Sequence, residues 1–537
     1  MSELGGSDSK GSCPRRRGIS PASVGRLGAK WLLPIAGLAS LVWFLVRVIP
    51  KPSRAAYPCQ RVAAPLASGF VVWLLAVTAS LLAARRARHF ARRSRYAIAG
   101  LCVALSIGAV WLALSTSDRQ PALADRPAPN EPLGTAQGLH PGRVVWVHDP
   151  DATDWEGPGH GHWWQSSHTN QAVVDRMMSQ AVRRLAGEED LAAAWDRLFR
   201  HFNRTHGKGD GGYRPGQKIA IKVNFVGMIW RGGGVNGENY NLESQQDYMN
   251  TSPQVMLALL RQLVKTAGVK QADITIGDTL AYFANEYYQV LHSEFPSVRY
   301  LDHQGKFGRT AAKPSTVPLY WSCRPEGRLQ DYVPAFFAEA DYLINLANLK
   351  SHTGAGVTLC AKNHCGSLIR WPGEKGYYDV HQSAFAPGTG KYRILVDLMG
   401  HAHLGGKTML YLIDGLYPGR HPIDQAPKKW NSPPFNGDWA SSLLASQDPV
   451  AIDSVAFDFL WAEWDDFPRR SGTDDYLHEA ALADRPPSGT FYDPDHSASV
   501  KRLASLGVHE HWNNPSQRQY SRNLGTGKGI ELVVAGR

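Results

Sequence analysis

Three long apolar stretches occupy most of the first 120 residues of this 537-residue chain. They cover residues 31–46, 62–84 and 96–114, and short connectors that contain several basic residues separate them. Each stretch approaches the roughly 20 apolar residues that an α-helix needs to cross a bilayer. A cleaved signal peptide would account for the first stretch only. The pattern therefore predicts three transmembrane helices between residues 31 and 116, with a lipid bilayer as a partner.

Beyond residue 140 the apolar runs become short and alternate with stretches of helical periodicity. Strands are predicted at residues 144–148, 218–224, 273–277, 298–301, 342–346 and 408–413. Helices are predicted at residues 171–185, 191–202, 253–267, 285–292, 394–399, 449–464 and 498–506. This alternation predicts an α/β domain over residues 141–537, with a mainly parallel sheet and helices on both faces. Residues 117–140 are rich in proline, alanine and polar side chains, which is typical of a linker.

The charge of the chain is distributed unevenly. Its formal net charge is +11, but residues 1–120 contain 17 Lys/Arg and 3 Asp/Glu, against 41 and 44 in the remainder. The large domain is therefore slightly acidic, and no nucleic-acid partner is expected because that would require a basic patch on the folded domain. Basic residues concentrate before the first apolar stretch and between the second and third. The positive-inside rule then places residues 1–30 in the cytoplasm and the large domain outside a bacterial inner membrane.

Polar side chains cluster at or just after the ends of the predicted strands. These candidate site residues are Lys222, Asn224, Asp278, Lys350, His352, Lys362 and Asn363. Because ligands of open α/β sheets bind beyond the carboxyl ends of the strands, we expect these side chains to converge on one crevice. Lysine charges and asparagine amides suit a small anionic ligand that carries phosphate or carboxylate. In this hypothesis the lysines and asparagines bind the substrate, and His352 or Asp278 transfers the proton.

Two other interpretations of the lysines remain open at this point. A lysine that is desolvated between other cations can act as a base or a nucleophile. The lysines would instead have no catalytic role if they were solvated residues at strand ends.

The same positions carry a resemblance to a known family. The motifs are Ile221-Lys222-Val223-Asn224, Thr251-Ser252-Pro253, Gly277-Asp278, Asn345 to His352, Thr358 to Asn363, and Asp448 to Asp453. In this order they resemble the family of domain of unknown function 362, over roughly residues 217–460. The resemblance implies the α/β fold and the pocket. Many relatives also carry a ferredoxin-like iron–sulfur module, and this chain lacks the cysteines of that module.

Metal binding is a further hypothesis. His352, His364 and Cys365 could form a three-ligand metal site with an open position, whereas Cys360 and Cys365 could instead form a disulfide in an oxidising compartment. A four-cysteine iron–sulfur cluster is not expected, because only three of the six cysteines lie in the large domain. A second group of histidines, His160, His162 and His168, lies in a glycine-rich loop beside two tryptophans. That loop could bind a divalent ion or could be an aromatic flap.

The glycine-rich segment 231–237 could cradle an anion through its backbone N–H groups or act as a mobile lid. It matches neither a P-loop nor a dinucleotide-binding fingerprint. The sequence as a whole favours a membrane-anchored extracytoplasmic enzyme that acts on a small anionic or envelope-derived substrate. The alternatives are a non-catalytic ligand-binding or sensor module, and a metal- or redox-linked oxidoreductase that uses His352, His364 and Cys365.

Overall fold

The computed structural model divides the chain into two compact units, Met1–Ala122 and Leu123–Arg537. It describes residues 128–229, 233–244, 246–322, 330–369, 393–420, 426–496 and 502–536, together with scattered helical positions between 41 and 104. Residues 1–30 and most of the three predicted transmembrane helices lie outside the described residues. Among the described residues, no helix is both long enough and apolar enough to cross a membrane.

The described strands of the second unit form one large sheet and two small ones. The strands are β1 (Leu133–Gly134), β2 (Arg143–His148), β3 (Ile219–Lys222), β4 (Ile274–Gly277), β5 (Arg299–Asp302), β6 (Thr310–Ala311), β7 (Pro314–Tyr320), β8 (Gln330–Pro334), β9 (Tyr342–His352), β10 (Gly356–Thr358), β11 (Thr408–Gly419), β12 (Ser442–Ser446), β13 (Val508–His509) and β14 (Glu531–Gly536). Within the described ranges the large sheet has the order β14-β2-β12-β11-β9-β3-β4-β5-β6, and β10 pairs with β9. The small sheets pair β1 with β13 and β7 with β8.

Most neighbours in the large sheet are parallel, as the alternating pattern predicts. The run from β11 through β9, β3, β4 and β5 to β6 is parallel throughout, and β14 is parallel to β2. The exceptions among the described strands are β12, which is antiparallel to both of its neighbours, β11 and β2, and β10, which is antiparallel to β9. The sequence pattern does not reveal β12, because only three apolar residues stand between Ser442 and Ser446 and they do not alternate with polar ones.

The described α-helices include six that begin close to predicted positions and three, near residues 335, 360 and 475, that were not predicted. They are α1 (Gln171–Ala186), α2 (Leu191–Thr205), α3 (Pro253–Arg261), α4 (Asn285–His292), α5 (Ala335–Glu339), α6 (Cys360–Asn363), α7 (Arg393–Gly400), α8 (Pro449–Glu463) and α9 (Asp475–Ala481). Ser252 and Asp448 cap α3 and α8 with their side chains, and a proline follows each of them. The five-residue segment Gln262–Thr266 continues α3 as a π-helical turn.

The helix predicted at residues 498–506 is wrong where the structure describes it, because residues 502–506 have no regular structure. The backbone N–H groups of Leu503 and Leu506 donate to Tyr492 and Ala480 rather than to a preceding helical turn. Tertiary hydrogen bonds thus replace the local ones that the apolar spacing indicated.

Helices cover both faces of the large sheet, which confirms the predicted layers. Along β2, Val145 and Val147 pack in one core with α1, α2, α3 and α4. Val144 and Trp146 point to the other side and pack in a second core with α5, α7, α8 and α9. Because successive side chains of a strand face opposite sides of the sheet, a strand buried on both faces is continuously apolar.

The register of the parallel strands places their polar residues together. Lys222, the last residue of β3, lies beside Gly277 of β4 on one side and Asn345 of β9 on the other. The strand β9 continues past this level, where Asn348 pairs with Asp414 of β11. Polar residues at the ends of β3 and β4 therefore lie beside polar residues in the middle of β9 and β11.

Candidate functional site

The first element of the site is a buried ion pair between Lys222 and Asp278. Lys222 Nζ donates to Asp278 Oδ2 at 2.7 Å and to Asn363 Oδ1 at 3.1 Å. The Lys222 side chain is fully buried and that of Asp278 is 8% exposed. The other carboxylate oxygen of Asp278 accepts from the backbone N–H of Leu280 at 2.9 Å. This pair joins the end of β3 to the end of β4 without leaving a net charge.

Gly366 approaches this pair so closely that a side chain at this position would displace one of its members. A Cβ atom at this position would lie 2.8 Å from Lys222 Nζ and 2.9 Å from Asp278 Oδ1. The Gly366 carbonyl accepts from the Thr279 hydroxyl at 2.6 Å. The segment after α6 thus packs its backbone directly against the ion pair.

The second element is Lys350, a buried lysine on β9. Its Nζ donates to Asn224 Oδ1 and to the Met249 carbonyl, both at 2.6 Å. Both acceptors are neutral oxygens. Burial lowers the pKa of Lys350 well below its usual value, and the charges of Lys362 and Lys222 lower it further, while Asp414 and Asp278 oppose that shift. A buried amine among other cations favours the neutral form.

A chain of asparagine amides connects the two lysines. Asn363 Oδ1 accepts from both Lys222 and Asn224 Nδ2, the latter at 3.2 Å. Asn363 Nδ2 donates to Asn345 Oδ1 at 2.8 Å, and Asn345 Nδ2 donates to the Cys360 carbonyl at 2.9 Å. Lys222, which is paired with Asp278, donates to Asn363, so the Asn363 atom that it contacts is the oxygen. Asn224 then donates its Nδ2 to this oxygen and directs its own Oδ1 to Lys350. The hydrogen-bonded path Lys350–Asn224–Asn363–Lys222 therefore has one orientation of its amides, and it connects the two amines.

The short helix α6 brings Lys362 and Asn363 to the site. Asp453 of α8 accepts from the backbone N–H groups of Cys360 at 2.8 Å and Ala361 at 3.0 Å. Tyr476 donates its hydroxyl to the same carboxylate at 3.1 Å. Burial raises the pKa of Asp453 to about 6. Asp453 thus anchors the first turn of α6.

Lys362 contributes charge at the edge of this group. Its side chain is partly exposed, and burial of the amine lowers its pKa, as does the charge of Lys222, while Cys365 opposes the shift. Hydrogen bonds or electrostatic interactions thus link all five predicted substrate-binding residues, which are Lys222, Asn224, Lys350, Lys362 and Asn363.

His352 has a different local role from the one predicted. Its Nδ1 accepts from the backbone N–H groups of Gly354 at 2.9 Å and Ala355 at 3.1 Å. These bonds stabilise the turn between β9 and β10, so the lone pair of Nδ1 is already occupied. The structure therefore gives more support to a turn-stabilising role for His352 than to proton transfer.

The three predicted metal ligands do not come together. His364 is fully buried, its Nδ1 lies 3.2 Å from Ser367 Oγ, and burial with the nearby charge of Lys222 lowers its pKa to about 3. In the described part of the chain, the sets of three side chains whose ligand atoms all lie within 4.8 Å of one another do not include His352, His364 and Cys365. The metal hypothesis at this position thus lacks geometric support.

The cysteines beside the site are both free thiols. Cys360 and Cys365 are buried, and no disulfide joins them. Burial raises the pKa of both, well above the usual value for Cys360. Such thiols carry little thiolate, which is the reactive form.

The histidines of the glycine-rich loop bind separate carboxylates. His160 lies 3.0 Å from Glu156, His162 lies 3.0 Å from Asp247, and His168 lies 3.7 Å from Asp154. The ring of His162 stacks on Trp164 at a centroid distance of 5.4 Å. These contacts favour an aromatic flap over a metal site.

The glycine-rich segment 231–237 is described only in part, because residues 231 and 232 lie outside the described ranges.

Sequence reasoning missed several residues that surround Lys350. Asp414, in the middle of β11, is buried and accepts from the backbone N–H groups of Ser252 at 2.7 Å and Leu416 at 3.0 Å. The Thr251 hydroxyl lies 3.1 Å from Asn348 Oδ1 and accepts from the backbone N–H of Asn224 at 2.8 Å. Asp414 follows the predicted strand 408–413, so the strand-end rule would have found it.

A groove of about 820 Å³ lies away from the lysines. It is lined by residues of the segment 164–172 together with Asp154, Gln254, Leu257 and Val290. None of the predicted site residues lines this groove. The size of the groove alone does not indicate what it binds, whereas the lysines and amides of the site indicate an anion.

The sequence comparison agrees with the resemblance described above. Residues 238–458 match the family described as domain of unknown function (DUF362). This segment contains Asp278, Lys350, His352, Lys362 and Asn363, while Lys222 and Asn224 precede it. A search of curated proteins found no match to the chain. The chain thus resembles the family over the segment that supplies most of the candidate site.

Proposed function

We propose that the protein is an enzyme that binds a small phosphate- or carboxylate-bearing substrate at the lysine–asparagine site, with Lys350 as the group that exchanges a proton. The observation that carries this proposal is the environment of Lys350. Its amine is fully buried, its hydrogen-bond acceptors are the neutral oxygens of Asn224 and Met249, and Lys222 and Lys362 lie near enough to lower its pKa.

An anion suits this arrangement because it would offset the charge of the lysines. Lys222 is already balanced by Asp278, at 2.7 Å. The charge of Lys362 disfavours protonation of Lys350. An anion between them would favour the protonated forms and would itself be held by charge-assisted hydrogen bonds.

A lysine whose pKa is lowered by burial and by neighbouring cations is a suitable base or nucleophile. The sequence hypothesis assigned the proton transfer to His352 or Asp278. His352 Nδ1 is occupied by two backbone N–H groups, and Asp278 is held by Lys222 and Leu280. Lys350 is therefore the better supported group for this role.

The oxidoreductase alternative has less support. It requires a reactive thiol or a metal at His352, His364 and Cys365. The two thiols are buried with raised pKa values, and the three candidate ligands do not form a set. Membrane anchoring and an extracytoplasmic position remain predictions from the apolar stretches and the basic connectors.

The proposal is tested by screening small phosphates, monocarboxylates and dicarboxylates for their effect on the thermal unfolding of the full-length protein. A ligand of this site should raise the unfolding midpoint of the wild type and of Lys218→Met, but not of Lys362→Met. Lys218 is a matched control because it precedes the same strand as Lys222 but is exposed and paired with Glu339 at 2.8 Å. Stabilisation that is equal in all three proteins, or absent from the wild type, would contradict the proposed site.

Turnover distinguishes an enzyme from a binding module. The wild type should convert the stabilising compound, and Lys350→Met should not, as measured by product analysis. Tight binding without conversion by the wild type would instead favour the sensor module.

A further inference from the structure

A cluster of histidines and carboxylates lies outside the lysine–asparagine site. It is formed by Asp474, which directly precedes α9, and by His509 and His511 near β13. One ligand atom from each of the three residues lies within 4.8 Å of the other two. All three residues lie beyond residue 458, where the family match ends. The pattern His509-Glu510-His511 places the two imidazoles on one side of an extended segment and Glu510 on the other.

The Nδ1 atoms of both histidines are already held. His509 Nδ1 lies 2.8 Å from Ser454 Oγ, and His511 Nδ1 lies 2.6 Å from Asp458 Oδ1. Each ring therefore presents Nε2 to the cluster. His509 is 1% exposed, and its Nε2 has no hydrogen-bond partner among the described residues. His511 Nε2 lies 3.5 Å from Asp474 Oδ2.

The carboxylate behind His511 is itself fixed. Asp458 Oδ2 accepts from the backbone N–H of Trp512 at 2.9 Å and from the Tyr520 hydroxyl at 2.8 Å. A metal-binding histidine usually donates its other ring N–H to a carboxylate or another acceptor, which orients the ring and increases its basicity. Asp458 accepts such a hydrogen bond from His511, and Ser454 is placed to accept one from His509.

We propose that Asp474, His509 and His511 bind a divalent transition-metal ion through one carboxylate oxygen and two Nε2 atoms. Two imidazoles and a carboxylate with an open position form the donor set of catalytic zinc sites and of non-haem iron sites. The Asp474 side chain is 20% exposed, so an ion can enter from that side. His478 flanks the cluster, with its ring centroid 4.4 Å from that of His509. This inference is independent of the function proposed for the lysine–asparagine site.

The inference is tested with Zn²⁺ alone as the probe, because an N/O site binds Zn²⁺ more tightly than Fe²⁺ or Mn²⁺. The full-length protein is prepared without a histidine tag, depleted of metal by a chelator, and titrated by calorimetry, with elemental analysis after desalting. The wild type should bind one equivalent. His511→Gln and Asp474→Asn should each lower the affinity at least tenfold, whereas His160→Gln should not change it. His160 is a matched control because it is exposed and paired with a carboxylate, Glu156, at 3.0 Å.

A second pair of variants tests the position of the site. Asp458→Asn should lower the affinity for Zn²⁺ by about 10- to 100-fold, since it removes the carboxylate that orients His511. Lys362→Met should leave Zn²⁺ binding unchanged, because Lys362 belongs to the lysine–asparagine site.

Thermal unfolding separates loss of binding from loss of folding. Zn²⁺ should raise the unfolding midpoint of the wild type but not that of folded Asp474→Asn. The proposal is overturned if the metal-depleted wild type binds no Zn²⁺, or if Asp474→Asn and His511→Gln bind it as tightly as the wild type. In that case His511 would be a buried imidazolium held by two carboxylates.

Discussion

At the scale of single residues, Lys222 and Lys350 show that two buried lysines can have opposite properties. Lys222 has a carboxylate partner, Asp278, at 2.7 Å, whereas Lys350 donates to two neutral oxygens. A buried ion pair contributes little net stability, but removing one member leaves an uncompensated charge. Lys222 thus holds the site together, and Lys350 is suited to exchange a proton.

The stability of the ion pair gives the first prediction. Lys222→Met should lower the free energy of unfolding by roughly 3–5 kcal/mol, because Asp278 would remain buried without its partner. Lys218→Met should lower it by no more than about 1 kcal/mol, since exposed ion pairs contribute little. Denaturant unfolding of the full-length protein measures both. A loss for Lys222→Met as small as that for Lys218→Met would show that the ion pair is not a buried charge pair in solution.

The lowered pKa of Lys350 gives a prediction about pH. In the folded protein this amine releases its proton at a lower pH than in the unfolded chain. Between the folded pKa and the usual value of about 10.4, the unfolded state therefore binds more protons, and the stability contributed by this group rises with pH. The unfolding midpoint of the wild type should accordingly increase relative to that of Lys350→Met as pH rises through this window. Midpoints that differ by a constant amount at every pH would contradict the lowered pKa.

At the scale of elements, the site depends on how α6 is held. This helix is a single turn, Cys360–Asn363, and Asp453 accepts from its first two backbone N–H groups. A helix this short cannot be stable by itself because nucleation is unfavourable. The position of Lys362 and Asn363 therefore depends on a carboxylate from α8.

Asp453→Ala should consequently impair both stability and binding. Two buried N–H groups would lose their acceptor, at a cost of about 1–3 kcal/mol for each group left unsatisfied. Affinity for the anion should also fall because Lys362 and Asn363 would no longer be held in place. Denaturant unfolding and calorimetric titration provide the two readouts.

Asp190→Ala is the matched control for this variant. Asp190 caps α2 by accepting from Ala193 N–H at 2.8 Å, but it is exposed and is not part of the site. Its removal should cost about 0.5–2 kcal/mol and leave affinity unchanged. If Asp453→Ala also lost stability without losing affinity, α6 would not position the site.

At the scale of the whole molecule, the sequence pattern predicts the layers better than the details. Alternating strands and helices predicted the mainly parallel sheet, and the strand-end rule brought Lys222, Asp278 and Asn363 to one place. The antiparallel strand β12 was missed because a short apolar run does not show whether a strand pairs in a parallel or an antiparallel manner. His352 was assigned a catalytic role because sequence alone does not show that its Nδ1 binds backbone N–H groups. The His509–His511 cluster was missed because its carboxylates come from α8 and from the residue before α9.

The predicted membrane anchor also concerns the whole molecule. Fusions of alkaline phosphatase or green fluorescent protein after residue 537 should give phosphatase activity and no fluorescence in bacteria, because the positive-inside rule places the large domain outside the cytoplasm. The full-length chain should also remain in the membrane fraction after a high-salt wash. Fluorescence with no phosphatase activity would reverse the orientation, and recovery in the soluble fraction would contradict the anchor.

The central claim is that an anion binds beside Lys350 and changes its protonation, and the most direct test is proton-linked calorimetry. The stabilising phosphate or carboxylate is titrated into the full-length protein in buffers that differ in ionisation enthalpy. A nearby anion favours the charged amine, so binding should take up protons in the wild type and in Lys218→Met but not in Lys350→Met. A binding enthalpy that does not depend on the buffer, or equal proton uptake by Lys350→Met, would contradict the role assigned to Lys350.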